Sequence, residues 1–188
     1  GGGIENLGTI ENITNCMFSG NYANDSGGAV SNVGGTINIS FTTIADNEAG
    51  SEGGGISQDL GPTTSVRNSI VAMNGPENCA SLDASTVNDL EGNYSDDDSC
   101  GFSGDSSFIE LGPPANNGGP TMTMALLAGS PLDGATEECD GLDGTGTPTG
   151  MPIGIDQRFF PRPFGPACDS GAFEAGPATV NKTKMTVP

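Results

Sequence analysis

Two stretches concentrate carboxylates among turn residues: Asp96-Asp97-Asp98, and Glu137-Glu138-Cys139-Asp140-Gly141-Leu142-Asp143-Gly144. Oxygen-rich loops of this kind suit Ca²⁺, which takes about six to eight carboxylate and carbonyl ligands. Asp140 and Asp143 are the candidate ligands, and Ca²⁺ is the one cofactor weighed against none. Neither stretch has EF-hand spacing, so a solvated acidic loop is the favoured reading over a metal site. Acid–base and nucleophilic chemistry fare worse. The chain has no His, which removes the commonest general base and transition-metal ligand and leaves nothing to activate a Ser or Cys. A polysaccharide lyase would need an Arg or Lys base beside a carboxylate cluster. Only Arg67 lies in the first 80 residues, at an outward position equivalent to Thr14 and Ser40, where pairing with surface carboxylates explains it equally well. Arg158 and Arg162 stand near Asp156 and Asp169 and are expected to pair with them structurally. No catalytic residue is assigned, and the chain reads as a non-enzyme.

Five cysteines allow at most two internal bridges. Cys79 and Cys100 flank one loop and Cys139 and Cys168 another, so those are the expected pairs, with Cys16 left free. The acceptor pattern Asn-x-Ser/Thr occurs at Asn12, Asn24, Asn38, Asn93 and Asn181. Asn12 and Asn38 fall at equivalent positions one repeat apart, each before an inward Ile, and are expected to face solvent. A formal charge of −19 excludes nucleic acid and anionic membrane as partners. No apolar run approaches the roughly 20 residues of a membrane span.

The elements that would position these residues are repeats. Gly1-Gly2-Gly3-Ile4, Gly27-Gly28-Ala29-Val30 and Gly53-Gly54-Gly55-Ile56 recur with a period of 26. Leu7, Val33 and Leu60 align; so do Ile13, Ile39 and Val66, then Phe18, Ile44 and Val71, then Asn21, Asn47 and Asn74. The third unit carries one inserted residue near Pro62. Rows that keep one residue type through three copies predict a coil of short strands, the apolar rows stacked inward about 4.8 Å apart. The asparagines predict a hydrogen-bonded ladder at a turn. Only 34% of residues are hydrophobic, too few for a compact globule but enough for a solenoid with one narrow core.

The Gly-Gly-Ala-Val and Phe18-Ser19-Gly20-Asn21 pieces resemble the repeats of chlamydial polymorphic outer-membrane proteins. Later segments are similar to bacterial choice-of-anchor Q proteins: Asn68-Ser69-Ile70-Val71-Ala72, Ser99-Cys100-Gly101-Phe102, Asn117-Gly118-Gly119-Pro120-Thr121 and Ala125 to Pro131. The similarity ends with Asp156-Gln157-Arg158, Pro161-Arg162-Pro163 and Ala167-Cys168-Asp169-Ser170-Gly171-Ala172-Phe173-Glu174. The resemblance implies a secreted or surface-displayed right-handed parallel β-helix of mostly unassigned function. The tail after Glu174 departs from it by carrying no anchor.

The expected organisation is one all-β domain over 1–174: regular coils at 1–80, an acidic loop region at 81–112, and irregular coils with a cap at 113–174. Residues 175–188 form a tail readable as one strand through Val180, Met185 and Val187, with Lys182 and Lys184 on it. The chain opens inside its repeats, so a longer parent gene is expected. A first coil around Gly1, Gly2, Gly3 and Ile4 leaves unpaired strand edges, and the basic tail could dock on an acidic neighbour. The expected partner is therefore the chain itself, as a head-to-tail extracellular homopolymer. The alternative is a monomeric surface adhesin or stalk segment, with glycans or cell-surface components as partners.

Overall fold

The structure is a computed structural model and describes residues 1–59, 61–81, 87–105 and 108–176. It is an all-β parallel solenoid, whose helical content among the described residues is one 3₁₀ turn over Asp98–Cys100. The first coil supplies β1 (Ile4–Asn6), β2 (Thr9–Thr14), β3 (Met17–Ser19) and β4 (Tyr22–Ala23). The second supplies β5 (Val30–Asn32), β6 (Thr36–Ser40), β7 (Thr43–Ala45) and β8 (Glu48–Ala49). Then follow β9 (Ile56–Gln58), β10 (Thr63–Arg67), β11 (Ile70–Ala72), β12 (Cys79–Ser81), β13 (Asn88–Asp89), β14 (Tyr94–Ser95) and β15 (Gly104–Asp105). Four parallel sheets run along the stack, in the orders β1-β5-β9-β12, β2-β6-β10-β13, β3-β7-β11-β14-β15 and the short pair β4-β8.

Register confirms the period. Ile4 pairs with Val30 and Val30 with Ile56, and the last coil shortens so that Ile56 meets Cys79. The inward rows Ile13–Ile39–Val66 and Ile44–Val71 are buried, with Phe18 half-buried at the first coil. The Leu7–Val33 row is a correction, since Leu7 is 75% exposed and Val33 also faces out, while Leu60 lies outside the described residues. The buried row at that corner is Asn6–Asn32–Gln58, one residue earlier. Alternation decides it, because Ile4 points inward and so must Asn6. Burial of Asn6 is made possible by its Nδ2 donating to Asn32 Oδ1 and to the carbonyls of Gly8 and Gly34, each at 2.8 Å.

The glycine pairs mark where backbones nearly touch. A Cβ on Gly28 would lie 2.3 Å from the Gly54 carbonyl oxygen, and Gly27 adopts φ +72°. A second corner takes left-handed backbone at Asn15, Phe41 and Asn68, with φ near 50° in each coil. Asn tolerates this region, whereas Phe41 is strained there.

Beyond the coils the chain does something that the expected organisation of 113–174 as irregular coils and a cap does not describe. The stack is closed by residues 96–105: Cys100 is buried in the core, Phe102 packs against it, and Ser99 Oγ accepts from Cys79 N at 2.9 Å. Residues 108–176 then fold back over the outer faces of the second and third sheets as a clasp. Their regular structure is an antiparallel pair, β16 (Asp140–Leu142) and β17 (Pro148–Pro152). Leu126, Leu132, Ile109, Leu111 and Phe173 cover the outward Ile70 and Ala72. Asn15 Nδ2 donates to Ile155 O at 2.9 Å, so the clasp reaches the first coil.

Candidate functional site

Charged side chains hold the clasp down. Arg67 is outward on β10, in register with Ser40, as its alignment with Thr14 and Ser40 required. It is nevertheless only 4% exposed, because β16 lies on it. Its Nε donates to Asp140 Oδ1 at 3.0 Å and its Nη2 to the same oxygen at 2.5 Å. Asp140 Oδ2 accepts from Gly150 N at 2.7 Å. Burial pushes the Asp140 carboxyl up, but the bonds from Arg67 and Gly150 together with the Arg67 charge outweigh it, and the group ends below the usual carboxylate range. Asp140, a candidate Ca²⁺ ligand, therefore commits both oxygens to protein donors. Asp143 Oδ1 accepts from Thr145 N, Thr145 Oγ1 and Thr147 N, which lowers its pKa and builds the β16–β17 turn. Among the described residues no three His, Cys, Asp or Glu side chains converge as a metal site.

A second cluster is buried where the clasp closes on itself. Arg158 donates to Asp156 Oδ2 from Nε (2.8 Å) and Nη2 (2.6 Å) and stacks 3.6 Å from the Phe173 ring. Arg162 lies 3.3 Å from Glu174 Oε2 and donates to the carbonyls of Asp169 and Gly171. The expected structural pairing holds for Arg158 with Asp156; Arg162 takes Glu174 instead and meets Asp169 only at its carbonyl. Arg162 also sits 4.2 Å over the ring of Phe41, pinning the strained left-handed corner. Burial raises the carboxyls of Asp169 and Glu174 and brings the Arg162 guanidinium down to about 10.

Both expected disulfides are present, Cys79–Cys100 inside the closed end and Cys139–Cys168 inside the clasp. Cys16 is free and half-buried, donates to Thr14 O at 3.2 Å, and has its pKa raised by burial. A raised pKa keeps the thiol protonated and slow to react.

The acceptor asparagines divide. Asn24 is exposed. Asn12 is exposed but lies beside Leu142 O, within hydrogen-bonding reach. Asn38 is a correction, being fully buried, with Nδ2 donating to Glu11 O and Asp143 O beneath the β16–β17 turn. A bulge in β2 also places Glu11 and Asn12 together opposite Asn38, breaking the expected equivalence. Asn93 is equally buried, donating to Val66 O and Asp89 Oδ1. Asn181 lies outside the described residues, as do Val180, Lys182, Lys184, Met185 and Val187.

The amide ladder has a direction. Asn21 donates its backbone N–H and its Nδ2 to Asn47 Oδ1, and Asn47 does the same to Asn74. Asn74 repeats the pattern onto Asn78, a rung outside the repeat. There the ladder is terminated: Asn78 N donates to Asp97 Oδ2 at 3.0 Å, and its Nδ2 to Ser95 Oγ and Asp96 Oδ1. The acidic loop Asp96–Asp98 thus supplies acceptors that stand in for the next asparagine. At the opposite face, Asn21 Oδ1 takes no donor from the described residues, and β1, β2 and β3 each pair on one side only. No family model, curated protein or solved structure matches the chain.

Proposed function

We propose that the chain is an extracellular structural unit that closes one end of a β-solenoid stalk or adhesin, and that it stacks on another coil through its first-coil face alone. The observation that carries this reading is the ladder's polarity. Its acceptor end at Asn21 is open, whereas its donor end at Asn78 is consumed by Asp96 and Asp97. Solenoids need such closure, because a bare stack of backbone groups and apolar rows invites uncontrolled pairing. Residues Gly1 to Ile4 and the half-exposed Phe18 edge lie on the face where a further coil, of this chain or of another, would stack. Two disulfides and buried ion pairs suit an oxidising exterior and a rigid, load-bearing role. No described helix is long and apolar enough to cross a membrane.

A head-to-tail polymer would have to seat the open face of one copy on the plugged end of the next, where no ladder donor is free. The stalk reading needs only one stacking face. Sedimentation and electron microscopy of the purified chain test this. Monomers and discrete pairs are expected at high concentration; filaments that lengthen with concentration would replace this reading with the polymer.

A further inference from the structure

The first coil departs from its copies along one edge. Tyr22 pairs with Glu48 of the second coil, and Gly20 N donates to Asp46 O, so a Tyr and a Gly stand where the next coil has two acids. From Ile13 to Asn24 the chain carries no Asp, Glu, Lys or Arg, whereas the matching stretches 39–50 and 66–77 hold Asp46, Glu48, Arg67 and Glu77. Tyr22 points outward and is 57% exposed. Beside this edge, Thr14 to Phe18 and the clasp residues Pro120, Ile155, Gln157 and Phe159 line a groove of about 660 Å³. No described residue of the second coil lines it, so it opens at the unpaired end of the stack.

The groove is short of donors. Asn15 Oδ1 and Gln157 Oε1 are shielded from solvent and accept from no group among the described residues. Buried acceptors are ordinarily satisfied. Its one acid, Asp156, is already taken by Arg158 Nε and Nη2, so no free carboxylate awaits a cation. Met17, Phe18, Ile155 and Phe159 make the rest of the wall largely apolar. A neutral aromatic group carrying a hydrogen-bond donor fits those walls and those acceptors, and a tyrosine is such a group.

We infer that two copies of the chain pair through this edge, each seating its Tyr22 in the groove of the other, with the phenol O–H donating to Asn15 or Gln157. The inference rests on the reading of the first-coil face as the stacking face, and it names the partner. β3 is paired on one side only, and bends at Asn15 and at Gly20–Asn21 flank it. A two-fold axis through Phe18 sets β3 antiparallel to its copy and exchanges the two bends. Thr14 and Tyr22 are each four residues from Phe18, so Tyr22 arrives at the partner's Thr14, where the groove lies. The half-buried Phe18 rings meet at the axis, and uncharged edges meet although each copy carries −19. Such an interface is self-complementary and closed, so it gives pairs and not filaments.

Sedimentation equilibrium of the full chain tests this. The parent should pair. Tyr22→Glu installs the residue that the second coil carries at this position, so the melt of dilute protein should not change. It also puts a carboxylate into the partner's apolar groove, and the dissociation constant should rise at least about tenfold. Tyr22→Phe keeps the ring and loses the donor, and should raise it about fivefold. Cys16 lines the groove and supplies a second readout: its alkylation should slow as the parent is concentrated, but not in Tyr22→Glu. Pairs that form equally well in Tyr22→Glu or Tyr22→Phe overturn the inference. A parent that stays monomeric at the highest concentration overturns it too, yet leaves the stalk reading standing, whereas lengthening filaments overturn both.

Discussion

The coils and the clasp are held by opposite chemistries. In the coils, neutral groups repeat: Ile39 lies between Ile13 and Val66, and Asn47 between Asn21 and Asn74, each rung bonding to a copy of itself. In the clasp, the ion pairs are singular, each made once: Arg67 reaches Asp140 from far away in sequence, while Arg158 takes Asp156 two residues away. The difference teaches that a repetitive core can be assembled from weak, self-matching side chains. A non-repetitive strap that must find one position on a uniform surface uses charges instead, since a misplaced charge is costly to bury.

The largest effect should come from breaking the coil. Ile39→Asp puts an unpaired charge in the middle apolar row and should cost more than about 4 kcal/mol, abolishing the cooperative melt followed by circular dichroism. An unchanged melt would refute the row.

Next, Arg67→Ala strands the buried Asp140 and should cost about 3–5 kcal/mol, felt in the clasp first. Limited proteolysis should cut within 140–152 while the coils stay protected. Pairing it with Asp140→Leu should restore much of the resistance, because removing both charges leaves nothing unpaired. If the single variant is as resistant as the parent, the clasp is not held by this pair.

Replacing Cys139 and Cys168 together by Ala opens a loop spanning 29 residues and should cost about 3 kcal/mol. Thermal melts with and without reductant would show it. A loss equal to that from removing Cys79 and Cys100 in every probe would erase the distinction between the regions.

Acid should separate them more gently. Asp140 has a lowered pKa, so its contribution is present above the ordinary carboxylate value near 4 and is lost as pH falls through its lower folded value. Asp169 and Glu174 act in the opposite sense: with raised pKa values, their contribution is greatest in acid and is lost as pH rises through them. Asp140→Asn should therefore flatten the rise in stability with pH on the acid side, and Glu174→Gln should flatten the fall in stability as pH rises through the raised Glu174 value. Melting temperatures measured across pH 2–7 would reveal either a matching or an inverted sign.

The smallest effect concerns sugars. In a host that modifies Asn-x-Ser/Thr, Asn24 should carry a glycan and Asn38 and Asn93 should not, with little change in stability. Peptide mapping that finds Asn38 occupied would mean that the β16–β17 turn does not cover it.

Much of this was legible in the residues alone. The 26-residue period, the parallel coil, the inward rows of Ile and Val and the asparagine ladder followed from residues whose partners are copies of themselves, so that sequence spacing is spatial spacing; both disulfides followed from the loops their cysteines flank. Where the reading slipped at Leu7 and Val33, strict alternation from Ile4 through Asn6 would have corrected it, since a buried amide row is as periodic as an apolar one. Tertiary structure alone decided the rest. That Arg67 is buried, that Asn38 is inaccessible, and that Asp96 and Asp97 close the ladder all depend on which outer face the returning chain crosses. No local preference encodes that crossing: a charged or amide side chain pointing away from a coil looks the same in sequence whether it meets water or a strap folded back from 70 residues later.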